Sequence, residues 1–113
     1  MNNLKNIVKT YVSYRNVVEN EEYWACAYKT NNTEKSMNLR QKPILGIIKK
    51  ESQHYYFYPY NKKGEIIKSK RVNANSRYYT KTEEDCIFLY NHLVENQIIL
   101  LEHLLNETKS DLI

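Results

Sequence analysis

A tyrosine-rich and lysine-rich stretch holds the residue types that could do chemistry in this sequence, and that chemistry is binding. Residues 55–71 read YYFYPYNKKGEIIKSKR, with four tyrosines and one phenylalanine in the first six positions. Tyrosine rings can stack on nucleic-acid bases, and lysine and arginine neutralise phosphates. The pattern indicates an aromatic, basic binding surface, although tyrosine is also an ordinary strand residue with an apolar body and a polar tip.

The same stretch predicts a β-hairpin. Side chains alternate along a strand, so Tyr56, Tyr58 and Tyr60 should share one face. The segment NKKG supplies the turn, where Gly64 can take a positive φ, and residues 65–72 return as a second strand. The candidate binding residues lie on and around this hairpin: Lys49, Lys50, Tyr56, Tyr58, Tyr60, Lys62, Lys63, Lys68, Lys70, Arg71 and Arg77.

Charge is unevenly distributed along the chain. Residues 1–81 contain 16 lysines and arginines against 6 acidic residues, a net charge of +10. Residues 82–113 contain one lysine against 7 acidic residues, a net charge of −6. A basic body of this kind attracts polyanions, whereas the simpler interpretation is that the lysines keep a tyrosine-rich sheet soluble and its edges unpaired.

Residues that catalysis, cofactors and metals require are scarce. Gly46 and Gly64 are the only glycines, whereas phosphate-binding loops and dinucleotide fingerprints need several glycines close together. His92 and His103 are 11 residues apart, about 16 Å along a helix, which is too far for both to bind one metal ion. We therefore expect a non-enzymatic binding protein with no cofactor and no metal.

The sequence also predicts the cellular compartment of the protein. No run of 18 apolar residues is present to span a membrane, and the first ten residues lack the apolar core of a signal peptide. Cys26 and Cys86 are expected to be reduced and buried. Together these features predict a cytoplasmic protein.

The apolar pattern predicts an α+β fold, in which an antiparallel sheet of about four to five strands packs against one long C-terminal helix. Residues 7–18 alternate as a strand, with a short helical start near Leu4, and residues 23–29 form a second strand with Trp24, Cys26 and Tyr28 on one face. Pro43 should open the next strand. The single domain of residues 1–113 then divides into an N-terminal hairpin (1–29), a loop (30–42), the rest of the sheet (43–80), a helix (81–107) and a tail (108–113).

The helix carries a start signal and a wide apolar stripe. Either Thr80 with Glu83 or Thr82 with Asp85 forms a capping box. Beyond Asn96 the apolar residues extend round the helix, which predicts a homodimer contact through Ile99, Leu101 and Leu105. The alternative is that the N-terminal segment covers this stripe.

The order strand, NKKGE turn, strand and helix start TKTEEDC followed by YN resembles the ethylene-response-factor type DNA-binding domain and the similar arm-binding domain of tyrosine integrases. The resemblance covers about residues 43–95 and matches Thr82, Glu83, Glu84, Cys86, Tyr90 and Asn91, with Gly46 and Ile47 in place of an opening Gly-Val. It implies a three-stranded sheet on one helix, with the exposed sheet face in the major groove of DNA. The residues that it implies for base edges and phosphates are Arg71, Lys68, Lys70, Lys49 and Lys50, whereas Tyr56, Tyr58 and Tyr60 would stack on unpaired bases of a single strand.

A protein-binding role is the alternative function. The small size, the bias toward asparagine, lysine and isoleucine, and the lack of catalytic residues are typical of small phage or mobile-element proteins. In this general style the chain is similar to anti-CRISPR proteins, which block a host defence complex. The tyrosine hairpin, the 30–42 loop and the apolar helix end would then contact the protein partner or a host nucleoprotein complex.

Overall fold

A computed structural model describes residues 4–29 and 39–112 as an antiparallel sheet packed with one long C-terminal helix, which confirms the predicted α+β class. The sheet has six strands, where four to five were expected, in the order β1-β6-β2-β3-β4-β5. The elements are helix α1 (Leu4–Ile7), strands β1 (Tyr11–Val12), β2 (Glu22–Lys29), β3 (Leu39–Glu51), β4 (His54–Pro59), β5 (Val72–Asn73) and β6 (Tyr78–Thr80), and helix α2 (Glu83–Lys109).

The N-terminal segment is the first place where the predicted elements differ from the structure. The short helical start is present as α1, but the strand predicted over 7–18 shrinks to the two residues of β1. The hydroxyl of Ser13 accepts a hydrogen bond from the backbone N–H of Arg15 at 3.3 Å, and a 3-10 turn over Tyr14–Asn16 ends the strand. The predicted N-terminal hairpin is wrong, because β1 pairs with β6, which lies between β1 and β2.

Strand β3 begins earlier than the sequence predicts. Residues 39–42, which were expected to end the loop, are part of β3, and residues 30–38 of that loop lie outside the described residues. Pro43 therefore does not open the strand. It lies where the β2–β3 register shifts, between the pairs Ala25 with Ile44 and Ala27 with Gln41. A proline has no N–H to donate, and a bulge is a place where a strand tolerates that loss.

The return strand predicted over 65–72 is also largely absent. Tyr60 and Ile66 form a single bridge, Lys68–Lys70 form a 3-10 turn, and only Val72–Asn73 pair with β4. The side-chain oxygen of Asn61 accepts the N–H groups of Lys63 and Glu65 at 2.8 and 2.9 Å, which folds the chain into a compact loop. Gly64 has the expected positive φ, at 81°.

Two small cores lie on opposite faces of the sheet. The face that we call the loop face carries Phe57, Ile48 and Tyr79, all buried, and is covered by Val17 and Ala74 from the connecting segments. The opposite face, the helix face, packs Cys26 against Cys86 and Leu89 of α2 and against Leu4 and Val8. The predicted common face of Trp24, Cys26 and Tyr28 is confirmed: Trp24 packs on this core, and the Tyr28 ring meets Tyr90 of α2 edge-on at 5.8 Å.

Helix α2 begins with the second of the two predicted capping pairs. The hydroxyl of Thr82 accepts a hydrogen bond from the backbone N–H of Asp85 at 3.2 Å. The Asp85 carboxylate accepts from the N–H and the hydroxyl of Thr10, at 3.0 and 2.6 Å, and so connects the helix start to the N-terminal segment. The helix ends at Lys109, two residues later than predicted.

The second half of α2 projects from the body, and the molecule measures 58 × 30 × 28 Å. The described part of the N-terminal segment packs at the beginning of the helix, against Cys86 and Leu89. Every residue from Ile98 to Leu112 is exposed. In the part of the chain that the structure describes, no helix is long and apolar enough to cross a membrane.

Candidate nucleic-acid interface

The structure separates the residues that the sequence predicted as one binding surface. Lys49 pairs with Tyr56 across β3 and β4, and Tyr58 pairs with Ile47. These side chains therefore lie on the helix face of the sheet, outside the area that α2 covers. Lys50 pairs with Tyr55 and therefore lies on the loop face. The remaining predicted cations are exposed in the turns (Lys62, Lys63, Lys68, Lys70 and Arg71) or half-buried before β6 (Arg77).

On the hairpin, the aromatic and cationic groups bind one another. Tyr58 is buried, with 6% of its surface exposed, and its hydroxyl donates a hydrogen bond to Glu51. The same carboxylate pairs with Arg71, whose guanidinium carbon lies 4.1 Å from the ring centroid of Tyr56. The hydrogen bond from Tyr58 and the charge of Arg71 hold the pKa of Glu51 below its ordinary value. The expectation that Tyr58 presents an exposed ring is therefore wrong.

Tyr60 and Lys49 are also engaged within the protein. The hydroxyl of Tyr60 donates to Glu22 at 2.7 Å, and burial together with this carboxylate raises the pKa of Tyr60 to about 12. The ammonium group of Lys49 donates to the side-chain oxygen of Asn20 at 3.3 Å. Two carboxylates thus lie among the cations of the hairpin, and they reduce its attraction for a polyanion.

A second surface collects tyrosines and cations that are far apart in the sequence. Two adjoining cavities, of about 280 and 750 Å³, share Tyr14, Arg15 and Asn75 as a common wall. The larger cavity adds Tyr11, Tyr28, Tyr78, Lys29 and Arg77, and the smaller adds Gln53, His54, Tyr55 and Asn73. We call the two cavities together the tyrosine–arginine groove.

The cations of this groove have no carboxylate partner among the described residues. Arg77 donates to the backbone carbonyl and the hydroxyl of Ser76, at 3.1 and 3.0 Å, and forms no ion pair with the described part of the chain. Burial lowers the pKa of Arg77, but a guanidinium stays charged in proteins. At the rim, the ammonium group of Lys50 lies 5.6 Å from the ring centroid of Tyr55.

Several groove tyrosines keep an exposed ring. The exposed fractions of Tyr14, Tyr55 and Tyr78 are 40%, 37% and 36%. Among the described residues, no aspartate or glutamate lines either cavity. The arrangement offers aromatic surfaces for stacking next to positive charges in a concave site, which is the combination that holds the bases and phosphates of a nucleic-acid strand.

Sequence reasoning found only part of this surface. Arg77 was the one predicted binding residue that lines the groove, and Lys50 lies at its rim. Tyr11, Tyr14 and Arg15 were assigned to a plain strand, and no spacing pattern connects them with Tyr78, more than 60 residues away. Only the pairing of β1 with β6 brings these segments together.

In the described ranges, no group of three or more histidine, cysteine, aspartate and glutamate side chains is placed to hold a metal ion. Cys26 and Cys86 are both free and buried, as predicted. The neighbouring Cys86 thiol and burial raise the pKa of Cys26, whereas the contact with Cys26 lowers the pKa of Cys86.

Comparison of the chain with protein-family models, curated proteins and solved structures found no match. Within residues 43–95, strands β3, β4 and β5 are adjacent and antiparallel, whereas β6 lies beyond β2 and does not pair with β4 or β5.

Proposed function

We propose that this protein is a non-enzymatic, cytoplasmic binding protein that holds single-stranded nucleic acid in the tyrosine–arginine groove. The observation that carries the proposal is the composition of the groove wall. Exposed tyrosine rings lie beside Arg15, Lys29 and Arg77, and the described wall contains no carboxylate. This supports a polyanionic ligand that also has flat apolar faces.

Single strands fit these features better than a duplex does. In a duplex the faces of the bases are covered by their neighbours in the stack, so Tyr14, Tyr55 and Tyr78 would find only sugar and phosphate. In a single strand the bases are free, and each stacked base contributes about 1–3 kcal/mol. Arg15, Lys29 and Arg77 would then contact the phosphates between the stacked bases.

The hairpin is a less suitable binding site for the ligand than the groove is. Its tyrosines and Arg71 are occupied by Glu22, Glu51 and one another, so a ligand would have to break those contacts first. The exposed lysines of the turns, Lys62, Lys63, Lys68 and Lys70, remain available to attract a polyanion at a distance. We assign these four lysines to the long-range attraction of the ligand, and the groove to its binding.

Fluorescence anisotropy with labelled 12-nucleotide strands tests the proposal. Single-stranded DNA and RNA should bind more tightly than a duplex of the same length. If the three groove cations each neutralise a phosphate, the affinity should fall roughly twentyfold between 50 and 200 mM salt. Absence of binding to any of these ligands at 50 mM salt would refute the proposal.

A protein-binding inhibitor of a host nucleoprotein complex is the second candidate, and the exposed apolar end of α2 favours it. Interfaces with proteins depend on large apolar and aromatic anchors. This function predicts the opposite result in the same assay: free DNA and RNA stay unbound, and only a protein target gives a complex.

A further inference from the structure

The projecting half of α2 exposes more apolar surface than is expected of a helix that has no partner. The exposed fractions are 49% for Ile98, 62% for Ile99, 39% for Leu101 and 54% for Leu105. Helices in water depend mainly on an apolar face that packs against something, and large exposed apolar patches mark interaction sites. No other described segment packs against the helix beyond Gln97.

The apolar residues on one side of α2 follow a heptad pattern. Along the helix, steps of four and three residues alternate without interruption over seven positions, which we call the seam: Ile87, Asn91, Val94, Ile98, Leu101, Leu105 and Thr108. This alternation is that of the two core positions of a coiled coil, and five of the seven residues are aliphatic. The pattern therefore specifies another helix as the partner.

The seam is exposed at every position except Val94, which is half-buried. Cys86, Leu89 and Leu93 face the sheet, and the seam lies roughly 110° around the helix from them. Ile87 is 46% exposed even where α2 packs on the sheet. A second helix can thus lie along about 32 Å of α2, from Ile87 to Thr108.

We propose that the seam pairs with the seam of a second copy of this chain, in parallel orientation. Asn91 occupies a core position, where two asparagines of a parallel pair hydrogen-bond each other and fix both the register and the two-stranded state. An isologous contact of this kind needs no partner other than the protein itself.

The charges beside the seam favour the parallel orientation. In a parallel pair, Tyr90 meets the partner's Glu95, Gln97 meets the partner's Glu102, and Leu104 meets the partner's Lys109. No like charges oppose each other in these three pairs. An antiparallel pair would instead bring the row that contains Glu95 and Glu102 against the same row of the other copy, which places glutamates opposite glutamates.

Ile99 lies outside the seam, although the sequence predicted that it takes part in self-association. It is two residues from Leu101, so the two side chains point about 160° apart around the helix. Ile99 is also the most exposed of the isoleucines described. It therefore provides a matched control for substitutions within the seam.

Light scattering after size exclusion tests the pairing at about 100 µM protein. The wild type and Ile99→Glu should both give twice the monomer mass of 13.6 kDa, whereas Leu101→Glu with Leu105→Glu should give the monomer mass. All three changed residues are exposed, so each variant should keep its folded circular dichroism spectrum. A monomeric wild type, or a seam variant that stays dimeric, would overturn the proposal.

The orientation has its own test in Leu105→Cys. Equivalent core positions face each other in a parallel pair, so mild oxidation should give a covalent dimer on a non-reducing gel. The control is Ile99→Cys, which points away from the seam and should stay mainly monomeric on the gel. A dimer by mass in which Leu105→Cys does not form a disulfide would contradict the parallel arrangement.

Discussion

Arg15 and Tyr14 together form the wall that the two cavities of the tyrosine–arginine groove share. The guanidinium carbon of Arg15 lies 5.4 Å from the ring centroid of Tyr14, and its Nε donates to the Tyr14 hydroxyl at 3.1 Å. Both residues belong to the 3-10 turn that ends β1. The groove thus exists because the N-terminal strand stops early and turns these side chains toward residues 74–78.

Tyr14→Ala should weaken binding of single-stranded DNA by roughly fivefold to a hundredfold, because a stacked base contributes about 1–3 kcal/mol. Tyr56→Ala removes a ring of the same type from the hairpin. That ring is half-buried and covered at 4.1 Å by Arg71, which Glu51 holds in place, whereas Arg15 lies 5.4 Å from the exposed Tyr14 ring, so Tyr56→Ala should change the affinity less than twofold. Fluorescence anisotropy at 50 mM salt measures both. Equal losses for the two variants would contradict the assignment of stacking to the groove.

Gly46→Ala should destabilise the protein by about 2 kcal/mol or more, because a new Cβ would meet the Phe57 ring and lie 2.5 Å from the backbone carbonyl oxygen of Tyr58. Gly64→Ala tests the cost of a positive φ, without a steric clash. Nothing lies within 4 Å of that site, but its φ of +81° should cost about 1–2 kcal/mol. Urea unfolding measures both, and a Gly46→Ala protein as stable as the wild type would show that β3 and β4 are packed differently.

Thr10→Val should cost about 1.5–3 kcal/mol, because it removes a hydrogen bond to the charged carboxylate of Asp85 while keeping the side-chain shape. Thr82→Ala removes the helix cap alone and should cost about 1 kcal/mol. The unfolding temperatures of the two variants show which of the two contacts stabilises the protein more. If Thr10→Val left the stability unchanged, the hydrogen bond from the Thr10 hydroxyl to Asp85 would be shown not to stabilise the protein.

The stability of the protein should fall between pH 10 and pH 12, partly through Tyr60. Burial and Glu22 raise its pKa from 10.0 to about 12 in the folded protein. Below pH 10 the phenol is protonated in both states, so its contribution is complete. Above pH 10 the unfolded chain releases the proton first, and the contribution is lost as the pH rises through 12.

Tyr60→Phe should make this alkaline fall shallower, because the substituted residue no longer titrates. Guanidinium unfolding midpoints at pH 8, 10 and 11.5 measure the effect, with Tyr55→Phe as the control at an exposed position. A pH dependence as steep as that of the wild type would show that Tyr60 does not contribute.

Local signals in the sequence predicted the elements whose structure is decided locally. The Thr82 cap, the positive φ of Gly64 and the shared face of Trp24, Cys26 and Tyr28 each depend on residues within a few positions of one another. They were predicted correctly for that reason. The long helix was also clear, because its apolar rows repeat over many turns.

The errors occurred where distant contacts or single side chains override local propensity. The β-rich pattern of residues 7–18 gave way to the Ser13 turn, and the 65–72 strand gave way to the loop built on Asn61. The groove could not be predicted because Arg15 and Arg77 meet only through the pairing of β1 with β6. The ion pair of Arg71 with Glu51 depends likewise on tertiary structure.

The most direct test of the central claim compares two double variants that each remove two exposed positive charges. Arg15→Ala with Lys29→Ala changes the groove, and Lys68→Ala with Lys70→Ala changes the hairpin turn. If the groove binds single-stranded nucleic acid, the first variant should lose at least tenfold in affinity at 100 mM salt and the second less than threefold. Equal losses would mean that binding depends only on the net charge of the protein. A larger loss for the hairpin variant would mean that the binding site lies on residues 55–71.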